Sequence, residues 1–203
     1  MRCNLVVLFS SSLLAAACGD DPQPVVADAA ATIIDSAPFA DTAPLPPPDA
    51  DTGSFTVTSP TITDGGAIPV VHSCDGANTS PALTWTAWPA AASYAVVLND
   101  KSIGFLHGAI YDIAAATLTL PADIDKVFEP TDVPGARQSR NYAGDLGYAG
   151  PCPGQPHMYE FIVVALDVAT LAGTDNGSTA GEIQTILDQH TLATTRLTAT
   201  YTP

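Results

Sequence analysis

Four polar side chains sit where this sequence is otherwise apolar. Asp100 follows the run Tyr94 to Leu98, and His107 opens the next run, which reaches Ile113. His157 and Tyr159 lie two apart just before the run Phe161 to Leu166. Residues i and i+2 of a strand share a face, so His157 and Tyr159 point the same way. A neutral imidazole donates one hydrogen bond, an imidazolium two and a phenol one, a set that suits phosphate oxygens. Asp100 can orient a histidine through its second ring nitrogen, favour its protonated form, or meet an ammonium group on a ligand. Upstream of His157, Gly150-Pro-Cys-Pro-Gly154 is a rigid, turn-rich loop whose amides can face a ligand, and Cys74-Asp-Gly76 is a second such loop.

The competing chemistry is zinc held by His107, His157 and Asp100 in an open arrangement. The chain has no C-x-x-C, G-x-S-x-G, H-E-x-x-H, P-loop or G-x-G-x-x-G motif. The reading is therefore a binding module and not an enzyme, with no catalytic residue, metal ligand or cofactor assigned. His72 and His190 are read as surface or packing residues, Trp85 and Trp88 as packing, and Arg137 and Arg140 as solvated.

The elements that must carry these groups are strands. Phe55 to Thr58 and Leu83 to Trp88 alternate, and Ala109 to Ile113 and Leu192 to Tyr201 add two more. Tyr94 to Leu98 and Phe161 to Leu166 are short, continuous, β-branched apolar runs, the pattern of strands buried on both faces. One helix is expected, because Thr179-Ala-Gly-Glu182 has the form of a capping box and Ile183, Ile186 and Leu187 follow on one face. Residues 126 to 150, poor in apolar side chains and rich in glycine, read as a long irregular loop.

Ahead of this domain, assigned to residues 55–203, stand two segments of different character. Residues 1–18 carry Arg2, an apolar stretch from Leu5 to Leu14 and the small residues Ala15 to Ala17, the layout of a secretory signal too short to span a bilayer. Cys18 directly afterwards resembles a bacterial lipobox, although Ala15 stands where that pattern carries Leu. Cys18 is thus the expected lipidation site and mature N-terminus. The expected localisation is lipid-anchored to the cell envelope after export, with membrane contact through that anchor only. Residues 19–54 hold seven Pro, seven Asp and no Lys or Arg in 36 residues, a composition that cannot bury a core and reads as a disordered tether. With Cys3 removed and Cys18 acylated, Cys74 and Cys152 are left, and two thiols in an exported domain are expected to form a disulfide.

The whole chain has 203 residues and a formal charge of −15, with six Lys and Arg in total. Six cations cannot build the basic stripe that nucleic acid requires, nor a polybasic patch for an anionic membrane. The 46% hydrophobic content is enough for a core.

Two collinear stretches carry a resemblance. Gly66-Ala-Ile-Pro69, Cys74-Asp-Gly-Ala-Asn78, Ser80-Pro81, Leu83 and Trp85 make the first. Asn141-Tyr-Ala-Gly144, Gly147-Tyr148, Gly150-Pro-Cys-Pro153, His157, Tyr159 and Phe161, with Ala165-Leu-Asp167 after them, make the second. Together they resemble the phosphatidylethanolamine-binding protein (PEBP) family, in its bacterial Raf-kinase-inhibitor-like branch. The resemblance implies a mainly β fold, a large antiparallel sheet packed on a smaller one with one or two short peripheral helices. It also implies a surface pocket for a small anionic ligand, phosphate or a phospholipid head group, at Asp100, His107, His157 and Tyr159, with Pro151 and Gly154 in the lining loop. Inhibition or regulation of a protein partner such as a kinase or protease is the alternative role it implies. The stretch Asn99 to Gly108 is shorter than the family's first signature and lacks one aspartate, two prolines and a tryptophan; Met158 replaces an arginine. Lys101 and the missing aspartate are expected to make the pocket less acidic, and Gly108 to open it.

Overall fold

The computed structural model describes residues 54–203. The signal segment, Cys18 and the tether up to residue 53 lie outside the described residues. Nine strands and one α-helix follow one another as β1 (Val57–Thr58), β2 (Gly66–Ala67), β3 (Leu83–Trp85), β4 (Ser93–Asp100), β5 (Phe105–Ala114), β6 (Thr119–Leu120), β7 (Arg137–Gln138), β8 (His157–Leu166), α1 (Ala180–His190) and β9 (Thr191–Tyr201). A small antiparallel sheet has the order β1-β3-β6, and a large one the order β2-β9-β8-β4-β5-β7. Only the β2–β9 pair of the large sheet is parallel. This is the mainly β, two-sheet arrangement expected from the resemblance.

The continuous apolar runs of β4 and β8 are explained by cover on both faces. Val96, Leu98, Ile110, Phe161 and Val163 pack on one side with Val57, Leu83, Trp85 and Leu120 of the small sheet. Ala95, Val97, Tyr111 and Val164 pack on the other with Ile183 and Leu187 of α1. A strand buried twice has no solvated face, so it shows no alternation. The helix begins where its capping box lies: Thr179 Oγ1 accepts from the Glu182 amide at 3.3 Å, and the Thr179 amide donates to Glu182 Oε2 at 2.8 Å. Boundaries differ from the sequence reading. The strand at Leu83 stops at Trp85, β5 starts two residues earlier than His107, and the two-residue β7 pairs with β5 inside the expected irregular loop.

Two extra residues shape β5. Between Tyr94 and Val96 of β4 the pairing advances from Ile113 to Ile110, and between Leu98 and Asn99 from Gly108 to Leu106. Each slip is a bulge that leaves one residue of β5 without an opposite number and re-aims its neighbours. The first holds Asp112 at φ 59°. Its carboxylate accepts from Arg137 Nε at 2.6 Å and from the Leu171 amide at 2.8 Å. Arg137, read as solvated, is thus committed to a buried ion pair that ties β7 and the Leu171 turn to β5. The second extra residue is His107.

Cys74 and Cys152 are joined in a disulfide 78 residues apart. It lies within a dense loop contact. The Cys74 amide donates to Pro151 O at 2.9 Å, the Gly150 amide to Asn78 Oδ1 at 2.8 Å, and Tyr148 Oη to His72 O at 2.7 Å. A β-carbon on Gly150 would lie 1.9 Å from His72 O, so only glycine fits there. His72 itself is a packing residue, bonded through Nδ1 to Thr79 O at 2.8 Å and through Nε2 to Thr61 Oγ1 at 3.0 Å. Replacing both cysteines by serine is expected to lower the stability to urea by about 4 kcal/mol at 25 °C, the entropy regained by opening a loop of this length in the unfolded chain. Equilibrium denaturation of the oxidised protein and the double variant measures it.

Candidate functional site

Asp100 ends β4 and is paired on one side with Phe105 of β5 and on the other with Tyr159 of β8. Its carboxylate is 2% exposed, and both oxygens are engaged. Oδ1 accepts from the Ser102 amide at 3.0 Å, closing the turn 101–104, and Oδ2 accepts from His157 Nδ1 at 2.6 Å. The turn returns through Gly104 at φ +66°, a conformation a side chain would strain. One carboxylate therefore shapes the turn and orients the histidine.

His107 reaches the same place through the bulge. Without the extra residue, alternation would put it with Ala109 and Tyr111 on the face that packs α1. With it, the imidazole meets Tyr159 edge-on at 5.3 Å between ring centres and Tyr142 at 4.6 Å. Phe105 stands 5.7 Å from His107 and 6.0 Å from Tyr142. Asp100, His107, His157 and Tyr159 are thus brought together at the end of the central strands. Pro151 is buried and its carbonyl is held by Cys74. Gly154 is exposed, with open space where a side chain would project. Tyr142 and Phe105 complete the walls and were not assigned from sequence. Tyr142 stands inside the quoted Asn141-Tyr-Ala-Gly144 stretch, but only the fold carries that loop to His107, where the Tyr142 amide donates to His107 O at 3.2 Å.

Hydrogen bonding sets the tautomers. His107 Nδ1 faces Ala149 O at 3.0 Å and His157 Nδ1 faces a carboxylate, both acceptors, so each Nδ1 carries its proton. In the neutral form each Nε2 then presents a lone pair, and on protonation it becomes a donor. The two histidines are not equivalent. Burial holds the His107 pKa below 6.5, against the raising influence of the Ala149 carbonyl and the Asp100 charge. Burial, with the Asp100 charge beside it, pushes the Tyr159 phenol well above its usual value, so it remains a neutral donor. Lys101 donates to Glu160 at 3.0 Å, and its charge is spent there. Arg140 donates to Gly144 O at 2.6 Å. His190 pairs with Asp167 at 2.9 Å, far along the chain from these groups.

Among the described residues, no three His, Cys, Asp or Glu side chains converge to hold a metal ion. The zinc arrangement lacks its third ligand, because both Asp100 oxygens are already bonded, one to His157 and one to the Ser102 amide. At Gly108 the 141–147 loop takes up the room, since a β-carbon there would meet Gly147 O at 3.3 Å and Asn141 Cβ at 3.7 Å. An apolar cavity of about 50 Å³ lies behind this wall, between the sheets, lined by Leu83, Val96, Leu98, Ile110 and Phe161. It is separate from the polar group.

The two-sheet fold with this constellation at the strand ends defines a class, and comparison with known proteins agrees. Residues 58–202 match the family model described as phosphatidylethanolamine-binding protein. The chain belongs to the PEBP family. It is 33% identical over 166 residues to the UPF0098 protein YbcL of Escherichia coli strain K12, covering 75% of this chain and 90% of that one. It is 34% identical over 121 residues to the putative lipoprotein LppC of Mycobacterium tuberculosis strain H37Rv, covering 57% of each chain. The crystal structure of E. coli YbcL, described as a new member of the mammalian PEBP family, superimposes with a TM-score of 0.68 at 32% identity, over 73% of this chain and 98% of that one. The putative PEBP homologue CT736 of Chlamydia trachomatis superimposes with a TM-score of 0.62 at 28% identity, over 73% and 97%.

Burial of His107 has a measurable consequence. Its folded pKa lies below 6.5, so below that pH the unfolded chain binds the proton first. The stability contributed by neutral His107 is complete above pH 6.5 and falls as pH drops from there towards the folded pKa. An NMR titration of the imidazole carbons is expected to place His107 below 6.5, and His107→Gln to flatten the fall in stability between pH 6.5 and 5.

Proposed function

We infer that the site binds a small anionic ligand, inorganic phosphate or a phosphorylated head group, without chemical turnover. The observation that carries this reading is the His157–Asp100 bond of 2.6 Å. It fixes His157 with Nε2 turned away from its partner and beside the Tyr159 phenol and His107. Tyr159 donates at all physiological pH values. Each Nε2 accepts from a protonated ligand oxygen or an ammonium group when neutral, and donates to an anionic oxygen when protonated. Membership of the family supports a binding role, and the putative lipoprotein LppC among the relatives supports the reading of residues 1–18 as a lipoprotein signal with Cys18 as the anchor. Residues 55–203 are the binding domain on this reading, and 19–54 its tether. Among the described residues no helix is long and apolar enough to cross a membrane.

Calorimetric titration with phosphoethanolamine and with inorganic phosphate tests the site. Saturable binding is expected, and His157→Gln should weaken it about 10- to 100-fold, the cost of one hydrogen bond to a charged group. Affinity for the wild type should rise as pH falls below 6.5, where the His107 Nε2 becomes a donor. A wild-type affinity that does not change with pH, or one that His157→Gln leaves intact, would rule this reading out.

A further inference from the structure

A second carboxylate flanks the site, on the side of His157 away from Asp100. Tyr201 of β9 stands directly opposite His157 of β8, as Ala199 stands opposite Tyr159, so Tyr201 shares a face with both site residues. Cross-strand neighbours of this kind hold their β-carbons about 5 Å apart. Tyr201 is buried, and its hydroxyl donates to Asp75 Oδ2 at 2.6 Å and accepts from Ser73 Oγ at 2.7 Å. The Asp75 amide in turn donates to Ser73 Oγ at 3.2 Å. Asp75 also follows Cys74, whose sulfur is bonded to Cys152 and whose amide donates to Pro151 O. Asp75 is therefore fixed between the strand next to His157 and the Gly150–Gly154 loop that lines the site.

The two carboxylates differ in what they can offer a ligand. Asp100 is buried, with one oxygen given to the Ser102 amide and the other to His157. It cannot take the ammonium role that its position in the sequence leaves open. Asp75 is exposed, and among the described residues its carboxylate accepts only from the Tyr201 hydroxyl, through Oδ2. No Lys or Arg among the described residues makes an ion pair with it. The other acidic side chains near the strand ends are turned elsewhere. Glu160 lies on the other face of β8 and is paired with Lys101, and Asp145 acts on Lys126.

We propose that Asp75 is a specificity-determining residue of this site: its carboxylate meets a cationic group on the ligand and disfavours a bare phosphate. The inference rests on the anionic-ligand reading above and adds a second contact to it, for a positive charge beside the phosphate. The physical argument is one of charge. A phosphate at His157 and Tyr159 lies beside a fixed negative charge that no paired cation of the protein offsets, and like charges at such range repel. An amine on the same molecule turns that repulsion into an ion pair. The mounting of Asp75 adds to the effect, because a carboxylate held by a buried phenol and a disulfide-linked neighbour loses little freedom on binding. The ligand class is a phosphorylated amine, and the residue that selects it lies on β9's side of the site.

Calorimetry with phosphoethanolamine and with ethyl phosphate, the same molecule without its amine, tests the assignment on the wild type and on Asp75→Asn. Asparagine keeps an acceptor for the Tyr201 hydroxyl and removes only the charge. The readout is the ratio of the two affinities, taken at pH 6 for both proteins so that the ionisation of the ligands themselves cancels. The variant is expected to bind phosphoethanolamine more weakly and ethyl phosphate equally or more tightly, lowering the ratio about fivefold, the contribution of an exposed ion pair. Added salt should lower the wild-type ratio more than that of the variant. An unchanged ratio in Asp75→Asn, with binding retained, would overturn the inference and keep the anionic site. Equal losses for both ligands would overturn it as well, since they mark a role confined to holding the Cys74 loop. Binding of neither ligand to the wild type would remove the anionic-ligand reading and the inference with it.

Discussion

The extra residue in β5 at His107 decides what the end of the sheet can do. Strand geometry alternates side chains between two faces, and both faces of this sheet are already in use, one by the small sheet and one by α1. A regular β5 would bury His107 on the helix side, and Asp100, His157 and Tyr159 would face a gap. One unpaired residue moves the imidazole to their side and lets it bond Ala149 O, the carbonyl at the start of the Gly150–Gly154 loop. The loop itself is held from behind by the disulfide and by the contact of Gly150 with His72. Turn, histidines and loop thus lean on one irregularity, and each is fixed by bonds other than those a ligand would use.

This division of labour recurs in the polar groups. Asp100 gives one oxygen to the turn and one to His157, and neither to solvent. Both Nδ1 atoms are spent on protein acceptors, and each Nε2 is left outside these bonds. Burial makes the His107 imidazole resist protonation, while His157 is fixed by its bond to the Asp100 carboxylate.

The departures from the family's first signature take on a physical meaning in the fold. Lys101 makes its ion pair with Glu160, so its effect on the site is small. Gly108 gives its space to the loop carrying Tyr142, and ring contact with His107 replaces the lost bulk at the wall. Met158 puts an exposed apolar side chain where the family carries an arginine.

Much of this was legible in the residues alone. Buried strands show as continuous apolar runs, the helix start as Thr179 with Glu182, the disulfide as the two cysteines within residues 55–203, and the pairing of His157 with Tyr159 as a two-residue spacing. These are local patterns, and local physics is written in the sequence. What only the tertiary structure decided is which face His107 takes, that Arg137 belongs to Asp112, and that Phe105 and Tyr142 stack against His107. The bulge lies inside the β4–β5 hairpin but is set by strand register and not by residue type, and the loop packing joins residues far apart in the chain, such as His107 and Ala149.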